Sequence, residues 1–290
     1  MINLTNFDEK TLFIIGNGFD AAHGIQSSYK AFHDWLIAHR YMDDVICLEK
    51  IFPETESNNN LLWKEFEEAI GRYDAERIHD EFFQGIDKGL FDKYSQEKVV
   101  RRISPFINNI PYYMKEWAEN MDGIYNFNKA FEGLKLDYKY LTFNYTLVLE
   151  NRYNIPKWNI CHIHGSVEDD KIIVGHNNKK DPTQEYDYNS NRELSKRNIV
   201  ELMNTNVKPV DEIIQNNQNF FNSLWDVSRI VVVGHSLSPI DMPYFREVAS
   251  KVRKDCVCHF CWHTPDDEAL IKQLIKSEIF YRFTCRMHEI

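Results

Sequence analysis

Thr11-Leu12-Phe13-Ile14-Ile15, running straight into Gly16-Asn17-Gly18-Phe19-Asp20, decides the fold. A short apolar run, a glycine turn and a mixed polar and apolar stretch read as strand, tight turn and helix, so a βα unit opens the chain. The pattern recurs at Arg229-Ile230-Val231-Val232-Val233, a β-branched run of the kind buried on both faces of a parallel sheet, followed by Gly234-His235-Ser236-Leu237-Ser238. Between these, strand character returns at residues 138–143 and 159–163, with a short helix expected over 147–152. Further strands are expected at 171–174, 256–262 and 279–283. Thr264-Pro265-Asp266-Asp267 carries a cap, a first-turn proline and acidic residues, so a helix starts there, with Leu270, Ile271, Leu274 and Ile275 as its buried stripe.

Strands alternating with helices imply an α/β protein with a Rossmann-like, mainly parallel sheet. From Tyr29 to about Lys135, aromatic and aliphatic residues recur at helical spacing (Phe32, Trp35, Leu36; Leu62, Phe66, Ala69, Ile70). A large helical insertion over residues 30–135 is therefore expected within one domain covering 1–290. The Pro53 region and the Asn58-Asn59-Asn60 tract read as loops, residues 177–191 as a polar surface loop, and residues 192–221 as helical again.

The 290 residues hold 34 Lys+Arg against 44 Asp+Glu, a formal charge of −10. An acidic surface argues against nucleic acid or a membrane surface as a generic partner, because both need a positive footprint. The apolar runs are too short to span a bilayer and the first ten residues lack the features of a leader, so a cytoplasmic chain is expected. Six cysteines in no regular spacing read as reduced thiols. One sheet and one insertion use nearly the whole length and leave no residues for a sensor, so self-assembly or a separate sensing subunit is expected.

Four stretches could carry chemistry. Gly16-Asn17-Gly18 joins a strand to a helix, where backbone N–H groups can face a phosphate, although position 21 is Ala and the third glycine falls at Gly24. Thr142-Phe143-Asn144-Tyr145-Thr146 ends a strand with an amide and a hydroxyl at the edge where α/β sheets bind ligands. In His162-Ile163-His164-Gly165, period-two alternation would send both imidazoles to one face, and one could serve as a general base. Gly234-His235-Ser236-Leu237-Ser238 could give Ser236 and backbone groups to a nucleotide, with Asp241 close behind.

Two other chemistries compete. His162, His164 and His176 could hold zinc, although no acidic general base stands at an associated spacing. Ser236 could be a hydrolase nucleophile served by Asp266 or Asp267 and His288, although the last glycine of a nucleophile elbow is missing. Cys258-His259-Phe260-Cys261 has zinc-like spacing but no second pair, and reads as a buried strand.

The stretches occur in an order that resembles the sirtuin-like NAD-binding superfamily. Sirtuins carry G-A-G-x-S-x-x-x-G-I, T-Q-N-I-D, H-G and G-T-S-L, which Gly16 to Ile25, Thr142 to Thr146, His164-Gly165 and Gly234 to Leu237 resemble. Ile15-Gly16-Asn17-Gly18-Phe19-Asp20, Ser28-Tyr29-x-x-Phe32, Trp63-x-x-Phe66-Glu67, Phe143 to Thr146, His162 to Gly165 and Gly234 to Ser238 with Asp241 more closely resemble the bacterial abortive-infection family AbiH. The resemblance implies an NAD glycohydrolase active in anti-phage defence, with NAD as substrate and no metal. Asn144 and His164 would be catalytic. Gly16, Asn17, Gly18, Phe19, Asp20, Thr142, Gly165, Gly234, Ser236 and Asp241 would line the dinucleotide. The chain departs from the sirtuin pattern in lacking the paired-cysteine zinc module, in Asp20 for Ser and in Thr146 for Asp. Holding NAD or an ADP-ribose-like nucleotide without cleavage is the alternative for the same fold.

Overall fold

The computed structural model describes residues 2–3, 10–52, 61–83, 95–122, 129–186 and 190–290; the expected loops at Pro53 and Asn58 to Asn60 lie outside these. Its strands are β1 (Ile2–Asn3), β2 (Thr11–Ile15), β3 (Phe131–Glu132), β4 (Lys139–Thr142), β5 (Ile160–His162), β6 (Arg229–Val233), β7 (Val257–Trp262) and β8 (Thr284–Glu289). β1 pairs with β3, and the other six form one sheet in the order β5-β4-β2-β6-β7-β8, parallel at every pairing. The fold is α/β and Rossmann-like. From β2 the chain moves outward to β4 and β5, then returns to the other side of β2 to lay down β6, β7 and β8. The reversal between β2 and β6 is a topological switch point, where open α/β sheets hold their ligands.

The helices are α1 (Asn17–Ala22), α2 (Tyr29–Ala38), α3 (Met42–Ile51), α4 (Phe66–Gly71), α5 (Ala75–Phe83), α6 (Ser95–Asn108), α7 (Ile110–Asp122), α8 (Val148–Tyr153), α9 (Pro182–Glu185), α10 (Asn191–Asn204), α11 (Val210–Asn216), α12 (Gln218–Asn222), α13 (Met242–Lys251) and α14 (Pro265–Leu274). Among the described residues, no helix is long and apolar enough to cross a membrane.

The chain forms two compact units. The first, Met1–Ser27, Ala118–Ile172 and Pro209–Ile290, holds both sheets. Every residue of β2 is buried, as a central strand covered on both faces requires. The second unit, Ser28–Trp117 and Ile173–Lys208, is helical. Ser28 caps α2 by accepting the Ala31 N–H, and the Phe32 ring meets Trp63, Phe66 and Trp117 at 6.2, 5.8 and 5.2 Å. Glu67 accepts the Gly175 N–H at 3.1 Å and pairs with the fully buried Lys208 ammonium at 2.9 Å. The Ser-Tyr-x-x-Phe and Trp-x-x-Phe-Glu stretches thus supply a cap, core rings and an ion pair to this unit.

Three local expectations are corrected. Residues 171–174 form no strand: Ile172 and Val174 are buried as anchors of an irregular segment. The last strand lies at Thr284–Glu289, because Ile279, Phe280 and Phe283 are buried in the turn before it, while this edge strand leaves most of its side chains partly or fully exposed. On α14 only Ile271 is buried; Leu270 is half-exposed and, with Leu274, Leu237, Pro239 and Met242, lines an open groove of about 370 Å³. The start signals of α14 do form, as a complete capping box between Thr264 and Asp267.

The β2–α1 and β6 loops touch through backbone. The Gly16 N–H donates to Val233 O at 3.1 Å and the Gly18 N–H to Gly234 O at 2.7 Å. A Cβ at Gly234, where φ is +63°, would lie 2.3 Å from Phe19 N, whereas one at Gly24, φ +81°, would meet open space. Gly24→Ala is therefore expected to cost only the left-handed backbone penalty of about 1–2 kcal/mol. Gly234→Ala adds a backbone collision and should cost more than about 3 kcal/mol, measured from urea midpoints.

Candidate functional site at the carboxyl edge of the sheet

Strand register places His162, Thr142, Ile15 and Val233 in one row across β5, β4, β2 and β6. Adjacent strands lie about 4.8 Å apart, so the segments that leave this row emerge side by side. The four stretches named from the sequence therefore meet at one edge. Asp20, Thr142, Asn144, Thr146, His164 and Asp241 are all buried there, and buried polar groups need partners.

Asn144 supplies the central ones. Its Nδ2 donates to Gly16 O at 3.1 Å and to Asp20 Oδ1 at 2.9 Å. Two acceptors fix the amide's orientation, nitrogen toward the glycine turn. The Asn144 N–H donates to Thr142 Oγ1 at 3.1 Å, which sets the bend as the chain leaves β4. Thr146 Oγ1 donates to the other Asp20 oxygen at 2.6 Å. Asp20 is thus clamped by the segment that follows the neighbouring strand. Burial raises its carboxyl from 3.8 to about 6 against the lowering effect of the Thr146 and Asn144 hydrogen bonds, with Asp122 adding to the rise and His162 opposing it.

The two histidines of residues 162–165 do not act as a pair. β5 ends at His162, and a turn closes with Gly165 N–H donating to His162 O at 3.0 Å and φ of +80° at Gly165. Alternation stops there, which overturns the expectation of one shared face. The His162 Nδ1 donates to Asn144 O and its Nε2 meets the Glu150 carboxylate, each at 3.0 Å. Burial alone would lower this imidazole's pKa, but Glu150, the Asn144 carbonyl and Asp169 together leave it raised. The buried His164 instead sits with Nε2 3.3 Å from the Tyr244 hydroxyl. Its ring lies edge-on to Phe143, centroids 5.4 Å apart.

On the other side Phe143 lies 4.3 Å from the His235 ring and stacks on Phe245 at 6.2 Å. His235 Nδ1 accepts the Leu237 N–H at 2.8 Å, so the proton of the neutral ring sits on Nε2, 3.6 Å from Asp241 Oδ2. Leu237 is held at φ +55°, a left-handed conformation rare for a bulky residue, at the bend of this loop. Phe19 is buried, stacked on Phe131 at 4.8 Å, and packs the floor of α1.

Three expected roles change. The N–H groups of Gly16 and Gly18 are spent on Val233 and Gly234 carbonyls, so they do not face a phosphate; both glycines, with Gly234, are there because the loops touch through backbone. Asn17, Gly18 and Ser236 are exposed in these loops. Two of the helpers named for a Ser236 nucleophile are engaged elsewhere, Asp267 in the α14 cap and His288 with His259 Nδ1 at 2.8 Å, while Asp266 is exposed in the first turn of α14. The three-histidine zinc reading also fails. His162 is taken by Asn144 and Glu150, and His176 by Met203 O and the Asn178 N–H, each at 3.2 Å. Among the described residues no group of three or more His, Cys, Asp or Glu is placed to hold a metal ion.

Sequence reasoning missed Tyr244, Phe143, His235 and Glu150 as members of the site. Phe143 and His235 lie inside the motifs at positions that carry no local sign of a role; nothing local marks Tyr244 or Glu150, which reach the edge from α13 and α8.

A parallel sheet with a polar cluster buried at its switch point makes this a Rossmann-like protein with a carboxyl-edge site. The model of the bacteriophage abortive infection AbiH family matches residues 12–262, and the chain belongs to that family. Membership suggests an anti-phage abortive-infection role. No curated protein and no solved structure matches the chain.

The raised carboxyl of Asp20 has a consequence for stability. Because the folded-state pKa lies above 3.8, the contribution of Asp20 to stability is fully present below about pH 4 and is lost as pH rises through about 6. Asp20→Asn keeps an acceptor for Asn144 and removes the desolvated charge. It should be more stable than wild type by about 1–3 kcal/mol at pH 7, with the gap closing toward pH 4, in urea melts across pH.

Proposed function

We propose that this chain is an NAD-consuming abortive-infection effector that cleaves the nicotinamide–ribose bond, releasing nicotinamide and ADP-ribose. The observation that carries the reading is Asn144, whose amide nitrogen is tied to Gly16 and Asp20 so that its carbonyl end is held in one orientation at the switch point. Such a group can orient a ribose hydroxyl or the attacking water. His164, in the turn that follows the next strand over, supplies the imidazole, with the Tyr244 hydroxyl to hold its ring. Water attacks the ribose C1′, the C1′–N bond breaks, its electron pair leaves with nicotinamide, and His164 takes the water's proton. No metal is needed in this chemistry, because the nicotinamide of NAD is already cationic and departs neutral.

The transition state carries positive charge on the ribose. A buried carboxylate bonded to Asn144 favours that charge, and Asp20 is ionised above about pH 6. The resemblance to sirtuins gains support from the same pair. The two positions that depart from their pattern, Asp20 for Ser and Thr146 for Asp, are in contact at 2.6 Å, so carboxylate and hydroxyl stand exchanged across one hydrogen bond. The exposed Asn17 and Ser236 and the Gly165 turn would meet the remaining polar atoms of the dinucleotide. Assembly with a second copy or a sensing subunit has apolar surface to use: Trp158 and Trp225, 80% and 72% exposed, precede β5 and β6 at the opposite, amino end of the sheet.

The test is the NAD content of phage-infected cells. Wild type should lose NAD about tenfold or more, while cells with Asn144→Ala or His164→Ala keep it and lose protection. Protection by wild type with NAD intact, or full NAD loss with both variants, would refute the reading. Asp20→Ser and Thr146→Asp should each lower the rate of NAD loss by about tenfold, and together restore most of it, because the pair is rebuilt in the other order.

A further inference from the structure

Three sulfurs stand together on the outer part of the sheet, away from every group assigned above. Cys258 and Cys285 are register partners on β7 and β8, and the Cys258 thiol is hydrogen-bonded with both Cys285 and Cys256. Cys256 and Cys258 are buried; Cys285 is partly exposed on the edge strand. We propose that Cys258 and Cys285 are a dithiol that low-molecular-weight disulfides convert to a reversible disulfide joining β7 to β8, with the accessible Cys285 reacting first.

Sheet geometry selects this pair. Partnered residues on parallel neighbours point to the same face with backbones about 4.8 Å apart, inside the Cα separation of roughly 4.4–6.8 Å that a disulfide needs. Cys256 lies two residues along from Cys258, roughly 6.6 Å at strand rise, at the outer limit of that range. Cys261 is three positions from Cys258 on β7 and points to the other face. Exposure agrees with the order of attack. Cys285 is partly exposed, its Sγ donating to Phe283 O at 3.7 Å and Phe280 O at 4.0 Å, whereas Cys258 is buried and its thiol is raised by the two neighbouring sulfurs and by burial.

The exchange balances. The Cys285 thiolate attacks one sulfur of the small disulfide, forming a mixed disulfide and expelling one thiolate. That thiolate takes the Cys258 proton; Cys258 Sγ then attacks Cys285 Sγ, and the second small thiolate leaves and is protonated from water. Two protein thiols are oxidised and one small disulfide is reduced to two thiols. The product closes a loop through α14 and fastens the edge strand β8 to β7 covalently.

Full-length protein incubated with oxidised glutathione at neutral pH, below its melting temperature, tests this. The expected result is an intact mass lower by two hydrogens, a Cys258–Cys285 cross-linked peptide on digestion, a raised Tm, and reversal of all three by dithiothreitol. Cys258→Ser should trap glutathione on Cys285, and Cys285→Ser should leave Cys258 unmodified. If Cys258→Ser does not fold, limiting iodoacetamide on the wild type decides the order of reactivity, with Cys285 labelled first. Glutathione remaining on wild-type Cys285 without the cross-link, a cross-link between any other pair, or labelling of another cysteine ahead of Cys285 would overturn the proposal.

Discussion

The contact on which the carboxyl edge depends is backbone against backbone: Gly18 N–H on Gly234 O at 2.7 Å, with a Cβ at Gly16, Gly18 or Gly234 meeting main-chain atoms at 2.5, 2.8 and 2.3 Å. Only glycine allows two loops to close to that distance. The contact draws the start of α1 down onto the sheet, and with it Asp20, whose side chain is buried. Thr146 and Asn144 are then required as donors, because an unpartnered carboxylate there would cost several kcal/mol. From one steric condition follow the glycine spacing, the buried acid and the orientation of the amide.

The charge balance beneath the site has the same origin. Asp20, Asp122 and Glu150 gather around one imidazole, His162. Burial raises the carboxyls of Asp20 and Asp122 while Glu150 raises His162, so the cluster holds protons more readily than free side chains would. The Leu147 N–H on Asp122 at 2.7 Å ties α8 into the same cluster. Carboxylates gathered this way are unsuited to holding a phosphate, and in the proposed reaction they would favour a sugar passing through a cationic state. The two ends of a dinucleotide would accordingly be held by different parts of the edge.

The central strands were legible because β-branched runs ending in glycine have no other economical fold; Arg229–Val233 falls where expected. The cap of α14 was legible for an equally local reason, its capping box. The final strand was not, since Thr284–Glu289 is a polar edge whose pairing is supplied by β7 alone, while the apolar run before it fills a turn. At the site, Asn144, His164 and Asp20 could be named from motifs. Their partners could not: Tyr244 and Glu150 arrive from distant helices, and the glycine amides could be seen as donors without any sign that Val233 and Gly234 already accept from them. Local sequence shows which groups have hydrogen-bonding capacity; only packing shows which of it is already used.

Isotope incorporation is the most direct measurement of the proposed chemistry. The fully assembled protein, activated as in an infected cell, is supplied with NAD in water enriched in oxygen-18, and the products are weighed by mass spectrometry. Free nicotinamide and ADP-ribose carrying a single oxygen-18 at the ribose C1′ hydroxyl are expected, with no such product from His164→Ala. NAD recovered intact from the active assembly, or nicotinamide released without oxygen-18 in the sugar product, would contradict hydrolysis at this site.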